Sequence, residues 1–230
     1  MIPKKLHFTY KTKALPDKYS ENIAVWKQTC PDWEFNFYTD ADISSFFSTY
    51  FPQYSHDISQ IKLGVILSDI FRYGVLYIFG GLYSDIDTTP ACSLPKDWLN
   101  DSLVLGYEHE TEKLNKGTWY DSNVICQWSM LAKPRHPLFK EALEKGLENL
   151  RKTKFSFEDT KDVLHATGPL FFTPLAKKYL PLPETRLLEM EVFGSIPEQF
   201  PPTDKSIILH QFDGQYGWTV SLKCPFIDLR

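Results

Sequence analysis

LSDIFRYGVLYIFGGLYSDIDTTP, running from Leu67 to Pro90, is the stretch that decides the fold. Apolar residues at Leu63, Ile66, Ile70, Tyr73 and Tyr77 recur at three- and four-residue steps, the period of a helix with one buried face. Val65, Leu76 and Phe79 widen that stripe, so the spacing predicts a largely buried helix over Ser59 to Phe79. Gly80 and Gly81 stop it, because glycine takes up the left-handed conformation of a helix end at little cost. Leu82 and Tyr83 then begin a strand expected to end near Asp87. That order puts Asp85 and Asp87 at the carboxyl end of a strand, where α/β sheets bind ligands.

Two groups of charges in this stretch need a reason. Asp69, Arg72 and Tyr73 lie at i, i+3 and i+4 and share a helix face. An acid and a base one turn apart on a buried helix are either an internal ion pair or a pair aimed into a polar pocket. Asp85 and Asp87, two apart on a strand, face one side and can converge on one cation. Unpaired, such carboxylates repel. A hard divalent cation removes the conflict, and Mg²⁺ or Mn²⁺ suits carboxylate oxygens. The same triplet in a surface loop would carry no such meaning; the helix, double glycine and apolar strand before it favour the metal.

The blocks Ser68-Asp69-Ile70-Phe71-Arg72-Tyr73 and Gly80-Gly81-Leu82-Tyr83-Ser84-Asp85-Ile86-Asp87 resemble the signature of the DXD sugar transferases. That group holds the Och1-like yeast mannosyltransferases, bacterial capsular polysaccharide transferases and, more distantly, the clostridial glucosylating toxins. Further blocks follow in the family's order. They are Ile2 to Tyr10, Trp26 with Pro31 to Glu34, Leu131 to Pro137, Thr167-Gly168-Pro169, and His210 with Gly217-Trp218. Gln127 where the family often has Asn, Tyr216 before Gly217-Trp218, and Tyr10 for a frequent Trp are departures that bear on the sugar and the acceptor.

The resemblance implies an α/β fold of the GT-A, nucleotide-diphospho-sugar transferase kind, a Rossmann-like mixed sheet flanked by helices, as one domain over residues 1–230. It implies a retaining hexosyltransferase dependent on Mn²⁺ or Mg²⁺, acting on a UDP- or GDP-sugar donor and a glycan or other hydroxyl acceptor, as in polysaccharide biosynthesis. By the same resemblance Asp69, Arg72, Asp85 and Asp87 are the catalytic set. Asp87, Asp85 and His210 are the metal ligands. Phe8, Thr9, Tyr10, Asp69, Arg72, Tyr73, Ser84, Asp85, Ile86 and Trp218 line the donor. A non-catalytic sugar- or nucleotide-binding protein on the same fold is the alternative. A phosphotransferase or phosphohydrolase would want a further nucleophile or more acidic ligands than the chain displays.

Composition bounds these readings. At 230 residues the chain can bury a substantial core. A net charge of −4 speaks against nucleic acid, whose phosphates demand a basic patch. No run reaches the roughly 18 apolar residues of a membrane span, and MIPKKLHFTY lacks an extended apolar signal segment. Cys30, Cys92, Cys126 and Cys224 lack metal-like spacing and read as reduced packing residues, so a cytoplasmic setting, at most peripheral to a membrane, is expected.

Elsewhere, strands are expected at Leu6–Tyr10, Phe35–Tyr38, Leu103–Tyr107, Val124–Ala132 and Ile207–His210. Helices are expected at Tyr19–Thr29, at Asp40–Tyr50 with Asp40 or Asp42 as cap, at Pro137–Lys152 and at Pro169–Tyr179. The polar stretch Glu108–Asp121 reads as an acceptor loop. His7 and His136 read as structural, and Glu108-His109-Glu110 as a solvated loop without zinc-helix spacing.

Overall fold

The computed structural model describes residues 1–109, 123–194 and 201–213. Trp218 and its neighbours, most of the proposed acceptor loop, Glu110 and Cys224 lie outside the described residues.

The amino-terminal half runs β1 (Lys5–Thr9), α1 (Asp17–Thr29), β2 (Glu34–Tyr38), α2 (Asp40–Tyr50), α3 (Ser55–Gln60), α4 (Gly64–Phe79), β3 (Gly81–Ser84) and β4 (Thr88–Pro90). Next come β5 (Leu103–His109), β6 (Val124–Ile125), β7 (Ser129–Ala132), α5 (Pro137–Lys152), α6 (Thr160–Ala166) and α7 (Pro169–Lys177). β8 (Thr185–Leu188), α8 (Met190–Phe193) and β9 (Ile208–His210) complete the order.

β1 is parallel to both β2 and β3, the arrangement that crossover helices impose. β3 then pairs antiparallel with β7, and β7 with β5, which carries β8 parallel on its far side. Alternation along the strands divides the interior in two. Tyr83, Leu103, Leu105 and Met130 face a core built with α2, α4, α5 and α7. Leu82, Val104 and Leu131 face the other side, with Leu6, Phe8, Trp26, Trp128 and Phe193. Apolar side chains on both faces of a mixed sheet give the layered α/β form expected. Among the described residues, no helix is long and apolar enough to cross a membrane.

Several boundaries differ from the sequence expectation; β5, for one, runs through Glu108 to His109, which were expected in a loop. The helix expected from Ser59 is two helices, since the chain between α3 and α4 is extended at Ile61 and Leu63. Arg151 on α5 holds Asp57 of α3 with two hydrogen bonds, 3.0 and 2.6 Å, and pins α3 to α5. The cap of α2 is Thr39, not Asp40 or Asp42; Asp42 closes a capping box with it. β3 ends at Ser84, because Asp85 enters a turn in which the Thr88 amide donates to the Asp85 carbonyl at 3.1 Å. The expected strand Val124–Ala132 breaks at Cys126–Trp128, though the Cys126 amide still donates to the Gly106 carbonyl at 2.9 Å.

The double glycine is stringent. Gly80 and Gly81 both have positive φ, 63° and 91°. A Cβ at Gly81 would stand 2.3 Å from the Lys5 carbonyl oxygen, so α4 turns directly into β3 only where no side chain intervenes.

Candidate active site

The turn after β3 and the short ribbon β4–β9 build the acidic end of the site. β4 pairs antiparallel with β9, in register Thr88 to His210. This pairing brings a residue from near the end of the described chain against the aspartates. Donor atoms of Asp85, Asp87 and His210 all lie within 4.8 Å of one another. The aspartates come together across a turn rather than by the strand alternation expected from their spacing.

Each member is held from a different direction. Asp87 Oδ1 lies 3.1 Å from Nε2 of His210, and its Oδ2 accepts the Asp213 amide at 2.9 Å. Burial alone would raise the Asp87 carboxyl; His210 and the Asp213 amide outweigh it and leave the group below the usual range. Asp85 Oδ1 accepts from Tyr83 at 2.7 Å and from Arg72 Nη2 at 3.2 Å. Its carboxyl is nonetheless raised, by burial first and by Asp87 as a like charge, against the pull of Arg72. The His210 ring stacks on Trp128 at 4.7 Å and 11°, and its Nδ1 is buried without a hydrogen-bond partner.

These residues fit a divalent cation. Two carboxylates with an imidazole form a hard donor set, with the nitrogen more congenial to Mn²⁺ than to Mg²⁺. A carboxylate raised by burial and then by an acidic neighbour, as Asp85 is, is a group a cation would relieve. The arrangement supports Asp85, Asp87 and His210 as candidate ligands.

α4 builds the second half. Asp69 and Arg72 are 3% and 6% exposed and form an internal ion pair, the first of the two readings their spacing allows. Arg72 Nη2 lies 3.4 Å from Asp69 Oδ1 while also holding Asp85. The guanidinium lies 4.9 Å from the Tyr83 ring centroid, and its Nε is buried without a partner. Asp69 is pushed up to about 7 by burial, although Arg72 and the Thr167 hydroxyl at 2.8 Å pull it down.

The remaining sequence candidates divide. Thr9 and Tyr10 follow β1 to its carboxyl end, Tyr10 against Tyr19 at 5.5 Å between ring centroids and Thr9 Oγ1 donating to the Tyr38 carbonyl. Phe8 is 1% exposed and packs edge-on to Trp26. Ser84 is fully buried, its hydroxyl 2.8 Å from those of both Thr88 and Ser129. Tyr73 is also fully buried and donates to the Thr167 carbonyl at 2.6 Å. The side chains of Phe8, Ser84 and Tyr73 are thus engaged in the interior. Ile86 is buried, and its carbonyl accepts from Asn22 at 3.0 Å. His7 and His136 are buried, as read.

Sequence reasoning missed the supports. Tyr83 and Trp128 were read as apolar strand residues. Asn22 lies four residues before Trp26 on the buried face of α1, and a polar side chain in that register was the available signal.

Comparison with known proteins agrees with this geometry. Residues 16–105 match the family described as "Glycosyltransferase sugar-binding region containing DXD motif". Among curated relatives, the initiation-specific alpha-1,6-mannosyltransferase of Candida albicans is 24% identical, over 78% of this chain and 53% of its own length. The inositol phosphoceramide mannosyltransferase 1 of Schizosaccharomyces pombe is 26% identical, over 86% of this chain and 59% of its own. The chain therefore spans somewhat over half the length of these relatives. Among solved structures, the PaToxG glycosyltransferase superposes with a TM-score of 0.56 at 18% identity, covering 78% of this chain and 70% of that one. That likeness shows a shared GT-A glycosyltransferase fold.

Proposed function

From the match of residues 16–105 to the DXD-containing sugar-binding region of glycosyltransferases, we propose that the protein is a metal-dependent, retaining hexosyltransferase. Its donor would be a nucleotide sugar, UDP- or GDP-linked, and its acceptor a glycan or another hydroxyl compound. The curated relatives, named as mannosyltransferases, favour mannose. The observation that carries the reading is the convergence of Asp85, Asp87 and His210 within 4.8 Å, beside the buried Asp69–Arg72 pair.

Asp85, Asp87 and His210 would hold Mn²⁺ or Mg²⁺, which supplies Lewis-acid neutralisation of a departing diphosphate. Asp69 and Arg72 bind and orient the sugar through its hydroxyls. Arg72 is held for this by Nη2, which is fixed between two carboxylates. Tyr83 restrains the Asp85 carboxylate from the strand side. Trp26 donates to the Thr88 carbonyl at 3.1 Å and Asn22 to that of Ile86, so α1 braces the turn that bears the aspartates.

Retention by a double displacement needs a carboxylate free to attack the anomeric carbon. Both oxygens of Asp69 are engaged, by Arg72 and Thr167. Oδ1 of Asp85 is engaged by Arg72 and Tyr83. This favours front-side displacement assisted by the departing phosphate.

The test is a panel of nucleotide sugars with Mn²⁺ or with EDTA, reading nucleoside diphosphate release, beside Asp87→Ala. Release from one donor, lost with EDTA and in Asp87→Ala, is the expected result and names the sugar. No release from any donor, with thermal stabilisation by a nucleoside diphosphate and Mn²⁺ retained, would instead establish a binding protein.

A further inference from the structure

A buried polar circuit lies behind Asp69. Thr167 is fully buried where α6 ends and α7 begins, and its hydroxyl donates to Asp69 Oδ2 at 2.8 Å. The carbonyl of the same residue accepts from the Tyr73 hydroxyl at 2.6 Å and from Gln127 Nε2 at 3.1 Å. Gln127 Nε2 also donates to the Tyr73 oxygen. Gln127 is 3% exposed and sits where β6 and β7 break apart.

The donor count fixes the direction of every bond. A carbonyl accepts only, so Gln127 must present its NH₂ group to Thr167. Tyr73 spends its one proton on that carbonyl and therefore accepts from the Gln127 NH₂ group. The Thr167 hydroxyl is left to donate to Asp69. Next to it, Gly168 admits no side chain, since a Cβ there would stand 2.7 Å from the Leu164 Cα. The turn is wedged on one side and bonded on the other.

We propose that Thr167, locked by Gln127 and Tyr73, is the positioning residue that fixes Asp69 for the sugar-binding half of the site. Asp69 has one oxygen tied to Thr167, which directs the other to Arg72. Freed from Thr167, the carboxylate could turn about its side-chain bonds and leave Arg72 to Asp85 alone. The break in the sheet thereby acquires a purpose: a continuous strand through Cys126–Trp128 would not deliver Gln127 to the turn. This inference rests on the proposed transferase activity, because Asp69 matters here as a sugar ligand.

The test compares Thr167→Val, which keeps the shape and removes the hydroxyl, with Thr167→Ser, which keeps the hydroxyl, and with Gln127→Met. Two quantities are read. One is kcat/KM for the donor that the wild-type chain turns over; the other is calorimetric affinity for UDP and GDP with Mn²⁺. A lost hydrogen bond to a charged group predicts a fall in kcat/KM of about ten- to hundredfold for Thr167→Val. Nucleoside diphosphate affinity is expected to stay within about twofold, and Thr167→Ser to restore turnover. Gln127→Met should move kcat/KM the same way without touching Asp69 directly. Wild-type kinetics in Thr167→Val would overturn the proposal. A parallel loss of nucleoside diphosphate affinity and turnover would overturn it too, as a collapse of the whole site. A wild-type chain that turns over no donor sinks the transferase reading and this inference together, whereas turnover unchanged by Thr167→Val sinks this inference alone.

Discussion

Nε2 of His210 stands 3.1 Å from Oδ1 of Asp87, across 123 residues of sequence. Register carries the contact, since Thr88 pairs with His210 and the side chain just before Thr88 meets the imidazole. His210→Ala should weaken Mn²⁺ binding at least as much as loss of an outer-shell partner does, about 10–100-fold. Titration calorimetry with Mn²⁺ alone reads this without any donor. Unchanged affinity would remove His210 from the ligand set.

Arg72 is the one cation bonded to both Asp69 and Asp85 among the described residues. Arg72→Met leaves the buried Asp69 and the half-buried Asp85 carboxylates without it, and loss of one partner of a buried ion pair costs up to roughly 3–5 kcal/mol. Denaturant unfolding at pH 8 should show that loss, and saturating Mn²⁺ should recover part of it by relieving Asp85. A variant as stable as wild type would mean that the carboxylates are protonated or solvated in place.

His7 is 1% exposed and held well below its ordinary range, at about 4, chiefly by burial, with the Gly80 carbonyl opposing. Its Nε2 lies 2.9 Å from that carbonyl, which accepts only, so the neutral ring carries its proton there. A histidine lowered on folding binds fewer protons in the native state than in the unfolded one, so stability rises with pH. The contribution is complete above the unfolded value of 6.5 and is lost as pH falls toward 4, on the order of 3 kcal/mol. Asp69, raised to about 7 by burial, acts the other way over pH 4–7, because its native state binds the extra proton. His7→Gln keeps a donor for Gly80 and should flatten the acid limb of a stability–pH curve. An unaltered limb would assign it to other groups.

Gly81→Ala places a methyl 2.3 Å from the Lys5 carbonyl oxygen at a φ of 91°. Overpacking of about 1–3 kcal/mol adds to backbone strain of similar size, so a loss above about 3 kcal/mol is expected in chemical denaturation. A loss under about 1 kcal/mol would mean that β1 and β3 can part without cost.

The layered fold and the Asp69–Arg72 and Asp85–Asp87 pairs were legible because each depends on local pattern: the three–four period of α4, the double glycine, and the strand after it. The split between α3 and α4 was hidden, since Ile61 and Leu63 continue the apolar period while the Asp57–Arg151 contact that turns the chain comes from α5. The turn at Asp85 was hidden for a similar reason: Asp85-Ile86-Asp87 also satisfies strand alternation. His210 became a candidate ligand through family resemblance, because pairing between β4 and β9 leaves no mark in either segment. Gln127 stood out as a departure from the family, and its use required the position of α6.

The ribbon β4–β9 also orders events in time. The parallel trio β2–β1–β3 needs only the first 84 residues, and its aspartates follow at once. The imidazole arrives only when the chain has been made as far as His210 and has closed a loop of more than a hundred residues onto Thr88. A nascent chain can therefore raise its sheet early yet gathers its three candidate ligands only late in synthesis. During that interval Arg72 is the cation bonded to Asp85, while Asp87 still lacks its imidazole partner. The strand that completes the candidate ligand set is thus the last of the described strands to be made.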